Sequence, residues 1–202
     1  MQYDRIKLAL DIYINQIKLF YKEKNNMKLF VCLSASKPGG KVIVKIVKFI
    51  GEGNHTLIYG GGKRGAMGQL SSSLTLEYPD VFQFVYTIPA YAFDVPKHSH
   101  FVKVCENLLE RLNEMLEAAD AAIVCPGGLG TAQELLTIFE WSRTEKKIPV
   151  VIINDNGHYD WVNSLVDMWI SEGYASPDLK DCYKMVDDFD DAVEYLNQIK
   201  AT

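Results

Sequence analysis

The sequence predicts an α/β fold, a Rossmann-like doubly wound and mostly parallel sheet flanked by helices, with an extra helix at the amino terminus. Three observations carry this. Short β-branched or aromatic runs alternate with helical stretches from about residue 28 onward. The runs are apolar almost throughout, as strands buried on both faces are. Two of them end in glycine-rich loops, at the position where ligands of such sheets bind.

In chain order, residues 1 to about 25 space Ile6, Leu10, Ile14, Ile17 and Phe20 or Tyr21 at helical intervals. We expect a helical extension over 1–26, packed on a domain of 27–202 or on a partner subunit. Strands are expected at 28–33 (KLFVCL), 56–60 (TLIYG), 81–88 (VFQFVYTI), 121–125 (AAIVC) and 148–153 (IPVVII), with a short further one at 183–186 (YKMV). Helices are expected between them at about 40–52, 64–78, 106–118 and 131–145, then at 158–172 and 188–199. Alternation of this kind implies right-handed crossovers between parallel strands. The acidic group at 187–191 supplies a cap and favourable first-turn charge for the last helix.

Composition narrows the function classes. The 202 residues are 48% hydrophobic and 23% charged, with a net charge of −5. No stretch is strongly basic, which argues against a nucleic-acid partner, because clustered Lys and Arg must replace counterions along phosphates. Cys32, Cys105, Cys125 and Cys182 form no C-x-x-C pair. They read as buried, reduced thiols of a cytosolic protein. No apolar run approaches the ~18 residues of a membrane span. His98 and His100 have the spacing of two ligands on a strand, but no third ligand completes a zinc set, so no metal is expected.

The first glycine loop, Gly60 to Gly68, follows the strand ending at Tyr59 and satisfies G-x-G-x-x-G. A dinucleotide fingerprint belongs on the first strand, with an acid about 20 residues later to hold a ribose. Here it follows the second strand and no such acid appears, so NAD is discounted. What remains is either a plain tight turn or a turn that bares backbone N–H groups at a helix start, with Gly61, Gly62 and Gly65 as anion-binding candidates. The second loop, Pro126 to Glu134, brings Gly127, Gly128 and Gly130 to the end of the strand at 121–125. Thr131 and Glu134 fit a capping box opening the next helix, yet a cap does not need three glycines before it. Asn107 and Glu110 fit a second capping box, which places Arg111 in a first turn at the same edge of the sheet.

At these residues the chain resembles the Lonely Guy (LOG) family of cytokinin riboside 5′-monophosphate phosphoribohydrolases. Pro126 to Glu134 match every fixed position of P-G-G-x-G-T-x-x-E, and Gly60 to Gly68 match G-G-G-x-x-G-x-M-G. The likeness spans about residues 28–155. It departs at Leu112, where the family usually has Lys, and at Ser34-Ala35-Ser36, where it usually has Gly-Ser-Ser. The resemblance implies catalytic roles for Arg111 and Glu134. It implies phosphate or ribose contacts from Ser34, Thr131 and the glycines, a nucleotide substrate, a homodimer, and no metal or redox cofactor. The implied reaction is hydrolysis of the N-glycosidic bond of a nucleoside 5′-monophosphate to free base and ribose 5-phosphate. A carboxylate at Glu134 would stabilise the oxocarbenium-like ring or orient water. Arg111 would hold phosphate or ribose, or help the base depart. Tyr91 and Phe93, on the expected pocket rim at 89–100, are available to stack a base. Two rival readings stand beside this one: a nucleotide or molybdenum-cofactor carrier or sensor that binds without turnover, and a decarboxylase.

Overall fold

The computed structural model describes residues 26–200, so the expected N-terminal helix lies outside the described residues. Among the described residues, seven strands form one parallel sheet in the order β4-β3-β2-β1-β5-β6-β7. They are β1 (Lys28–Cys32), β2 (Thr56–Tyr59), β3 (Gln83–Thr87), β4 (Phe101–Val104), β5 (Ala121–Val124), β6 (Val150–Ile153) and β7 (Tyr183–Val186). The helices are α1 (Gly40–Glu52), α2 (Gly65–Glu77), α3 (Leu108–Ala118), α4 (Leu129–Thr144), α5 (Asp160–Ser171) and α6 (Phe189–Lys200). This is the doubly wound architecture expected.

The continuous apolar runs are explained by burial on both faces. Along β1, Leu29 and Val31 face a core shared with α1, α2 and α6. Phe30 and Cys32 face a second core shared with α3, α4 and α5. Every one of these side chains is essentially excluded from solvent. A buried aliphatic side chain contributes about 1.5–3 kcal/mol relative to exposure, so the central strands anchor the fold.

Strand β4 was not expected. Its residues pair with β3 from Phe84↔Phe101 to Thr87↔Val104. It is an edge strand whose side chains are mostly exposed, so FVKV lacks the continuous apolar run that marks the buried strands. Next to it a buried polar chain fixes the connection that leads into β4. The Tyr59 hydroxyl donates to Ser71 Oγ at 2.8 Å, and Ser71 donates to Gln83 Oε1 at 2.6 Å. His98 Nε2 lies 2.7 Å from the same Ser71 oxygen. The histidines are therefore structural: His100 Nδ1 accepts from the Gln83 amide.

Helix starts follow local chemistry in two of three expected cases. Asn107 Oδ1 accepts from the amides of Leu109 and Glu110, capping α3 as expected. Glu110 returns its bond to the Glu106 amide, one residue before the position a capping box uses. Asp188 accepts from the Asp190 amide ahead of α6, and Lys45 of α1 reaches both carboxylates. The third case fails. Helix α4 starts at Leu129 with Gly128 as its N-cap and no side-chain cap bond. Thr131 is thereby inside the first turn rather than ahead of it, so it caps nothing.

Candidate functional site

The strand order reverses direction across β1 and β5, and the loops leaving their carboxyl ends part there. A cavity of about 540 Å³ opens at that point, between the loop after β1, the loop after β2, the start of α3 and the start of α4. Arg111, Glu134, Ser34, Gly61, Gly62, Gly128, Gly130 and Thr131 all line it. Tyr91 and Phe93 lie at its rim, half and three-quarters exposed respectively.

Two expected residues sit elsewhere. Gly65 has φ +61°, and a Cβ there would lie 2.6 Å from the Ser34 carbonyl oxygen. It joins α2 to the loop after β1 instead of lining the cavity. The adjoining amides of Ala66 and Met67 donate to the carbonyls of Lys37 and Ser34, so that helix start is occupied by the protein itself. Gly127 borders a neighbouring cavity of about 300 Å³, which also meets Ser34 and Gly128.

Arg111 is held in place from two sides. Its Nε donates to the Tyr86 carbonyl at 2.8 Å. Its guanidinium lies against Gly60, where any Cβ would collide with it. The glycine after β2 is thus a seat for the arginine, a role no local pattern in the sequence announces.

Glu134 stands one and a half turns into α4, partly buried. Its Oε2 is shielded from solvent and has no hydrogen-bond partner among the described residues. Burial pushes its carboxyl up from the ordinary 4.5 to about 7, against the opposing pull of Arg111 and of a hydrogen bond from the Cys32 thiol. A carboxyl poised near neutrality with a free oxygen suits proton transfer or stabilisation of developing positive charge.

The start of α4 is open in a different sense. Its first amides have no acceptor within the helix. A Cβ added at Gly128 or Gly130 would meet nothing within 4 Å among the described residues. Gly130 inside a helix costs about 1 kcal/mol relative to Ala, and no packing among the described residues demands it. The empty space beside free amides is a place for an anion.

Two residues that hold this loop were not found from the sequence. His158 Nε2 lies 2.9 Å from the Gly127 carbonyl oxygen and 3.2 Å from its amide nitrogen. The buried Tyr159 hydroxyl donates to the Cys125 carbonyl at 2.7 Å. Both come from the connection between β6 and α5, roughly thirty residues away, and read locally as the start of a surface helix. Among the described residues no group of three His, Cys, Asp or Glu gathers to hold a metal. No described helix is long and apolar enough to cross a membrane.

The family model described as possible lysine decarboxylase matches residues 67–196, well over half of the chain. The cytokinin riboside 5′-monophosphate phosphoribohydrolase LOG of Oryza sativa subsp. japonica is 34% identical over 140 residues, 68% of this chain and 57% of that protein. A cytokinin riboside 5′-monophosphate phosphoribohydrolase of Rhodococcoides fascians is 32% identical over 126 residues, 60% of this chain and 62% of that one. The match therefore spans less than two thirds of the length of these curated relatives. Among solved structures, the molybdenum cofactor carrier protein of Chlamydomonas reinhardtii superposes with a TM-score of 0.66 at 14% identity, over 88% of this chain and 99% of that one. A molybdenum cofactor binding protein from Rippkaea orientalis gives 0.61 at 16% identity, over 85% and 94%. At such identities the two structures show the shared fold.

Proposed function

We propose a function from one premise: the chain belongs to the LOG family, whose model carries the description possible lysine decarboxylase. The chain hydrolyses the N-glycosidic bond of a nucleoside 5′-monophosphate and releases free base and ribose 5-phosphate. The observation that carries this reading is the free, buried Oε2 of Glu134, which shares one cavity with Arg111 and with the open glycines at the start of α4.

Each part has a place in the chemistry. The 5′-phosphate seats on the unpaired amides of α4, where the helix N-terminus favours negative charge. Cleavage builds positive charge on the ribose ring, by analogy with glycoside hydrolysis. The ionised Glu134 stabilises that charge or orients the attacking water. Arg111, already tied to the Tyr86 carbonyl, meets the negative groups of the nucleotide without reorganisation. Tyr91 and Phe93 offer faces to the base.

A decarboxylase of amino acids commonly works through a pyridoxal phosphate held as a Schiff base on lysine. Among the residues lining the cavity there is no lysine, so they do not fit that group. The deciding test is chromatography of the protein incubated with a panel of nucleoside 5′-monophosphates, beside Glu134→Ala. Base release that falls about 10²-fold or more in the variant is expected. Tight nucleotide binding with no release from any substrate would replace the hydrolase with a carrier.

A further inference from the structure

We propose that Arg64 and Asp94 select the base of the nucleotide, and that the base they fit is guanine. This rests on the nucleotide reading above for what lies between them and α4. Both residues line the cavity. Arg64 is the last residue before α2, and Asp94 ends the short helical turn Pro89–Asp94 that also carries Tyr91 and Phe93. That turn is pinned to the first glycine loop at two points. The Lys63 amide donates to Asp94 Oδ2 at 3.3 Å, and Lys63 Nζ donates to the Phe93 carbonyl at 3.0 Å. A Cβ at Gly62 would lie 3.6 Å from the same Oδ2, so the carboxylate stands over the loop after β2.

The order of the strands places this pair at the base. The phosphate seat at the start of α4 follows β5, and β1 separates it from β2. Two strand spacings are about 10 Å. A nucleotide with its phosphate on α4 and its ribose at Glu134 therefore carries its base toward the β2 side. Among the described residues neither Arg64 nor Asp94 forms an ion pair, with each other or with another group. A guanidinium only donates hydrogen bonds, and an ionised carboxylate only accepts them. Guanine presents acceptors at O6 and N7 and donors at N1 and its exocyclic amine, two atoms for each group. Adenine has one amine donor, and the lone pair on its N1 would oppose the carboxylate. Tyr91 and Phe93 can stack on any base, so they add affinity without choosing.

The test compares the 5′-monophosphates of guanosine, inosine and adenosine (GMP, IMP and AMP) on the whole chain, by equilibrium binding and by kcat/KM for base release. Wild type should favour GMP over both others by about tenfold or more. Asp94→Asn keeps an acceptor for the Lys63 amide and turns the other carboxylate oxygen into a donor. The advantage of GMP over IMP, which differ only in the exocyclic amine, should then fall to about threefold or less. Arg64→Met should weaken GMP and IMP about tenfold, and AMP, which lacks O6, by less. A wild-type preference for AMP, or a GMP-to-AMP ratio that neither substitution moves, overturns the proposal, while base release in the same assays leaves the hydrolase standing. Selective GMP binding that is lost in Asp94→Asn, with no base released from any nucleotide, supports the role of the pair and removes the hydrolase reading instead.

Discussion

The two glycine loops look alike in the sequence and serve opposite ends. In the first, at 60–68, the glycines make room for the protein itself. Gly60 admits the Arg111 guanidinium, and Gly65 admits the backbone of Ser34–Ser36. The amides at the start of α2 are already bonded to carbonyls of Ser34 and Lys37. In the second loop, Gly128 and Gly130 face open space, and the amides at the start of α4 have no acceptor in the helix. The first loop is a bracket; the second, in the proposed function, is a receptor. Glycine content alone does not separate the two; what a Cβ would strike does.

Substitutions can break this distinction, and the largest effect belongs to the bracket. Gly65→Val places a β-branched side chain at φ +61° against backbone atoms 2.6–2.7 Å away. It should lower stability by about 3 kcal/mol or more, read as a shift of the denaturation midpoint. A neutral result would mean that this loop is not the rigid support described.

The next effect concerns what the receptor loop carries. The folded-state value of Glu134, about 7, lies above its ordinary 4.5, so the folded chain retains a proton that the unfolded chain has released across that window. Stability therefore falls as pH rises from about 4.5 to about 7 on account of this group. Glu134→Gln, which cannot ionise, should gain about 2–3 kcal/mol over wild type at pH 8 and lose that advantage below about pH 5. Unfolding curves at the two pH values decide it. An equal difference at both would show that the carboxyl is not held near neutrality.

The smallest effect separates the loops most cleanly. Gly130→Ala meets no neighbour and removes a glycine from a helix, so it should stabilise the fold by about 0.5–1 kcal/mol. The same methyl group enters the proposed phosphate seat and should raise KM for a nucleoside monophosphate about tenfold. A rise in stability with unchanged KM would move the phosphate elsewhere.

The buried framework was legible because its strands are apolar on both faces, a pattern that needs no knowledge of partners. Strand β4 was not, since half of its environment is solvent and its side chains say so. The loops themselves were legible as motifs. Their division of labour was not, because Gly60 is explained by a residue fifty positions away and Gly65 by one thirty away. His158 was passed over for the same reason, its partner being Gly127. The capping box that Thr131 and Glu134 fit does not form, because the helix begins at Leu129, which the sequence does not show.

The central place of β1 sets a schedule for synthesis. Its neighbour β5 pairs with it only after some ninety intervening residues, from Leu29↔Ala121 to Cys32↔Val124. One of its faces is closed in part by Phe189, Ala192 and Leu196 of the last helix. A nascent chain therefore carries an apolar strand paired on one edge and open on its second face through most of its translation, and long-range pairings of this kind form slowly. Demand for a chaperone should be greatest while the ribosome still holds the segment after β5, and should end only when α6 has left the tunnel.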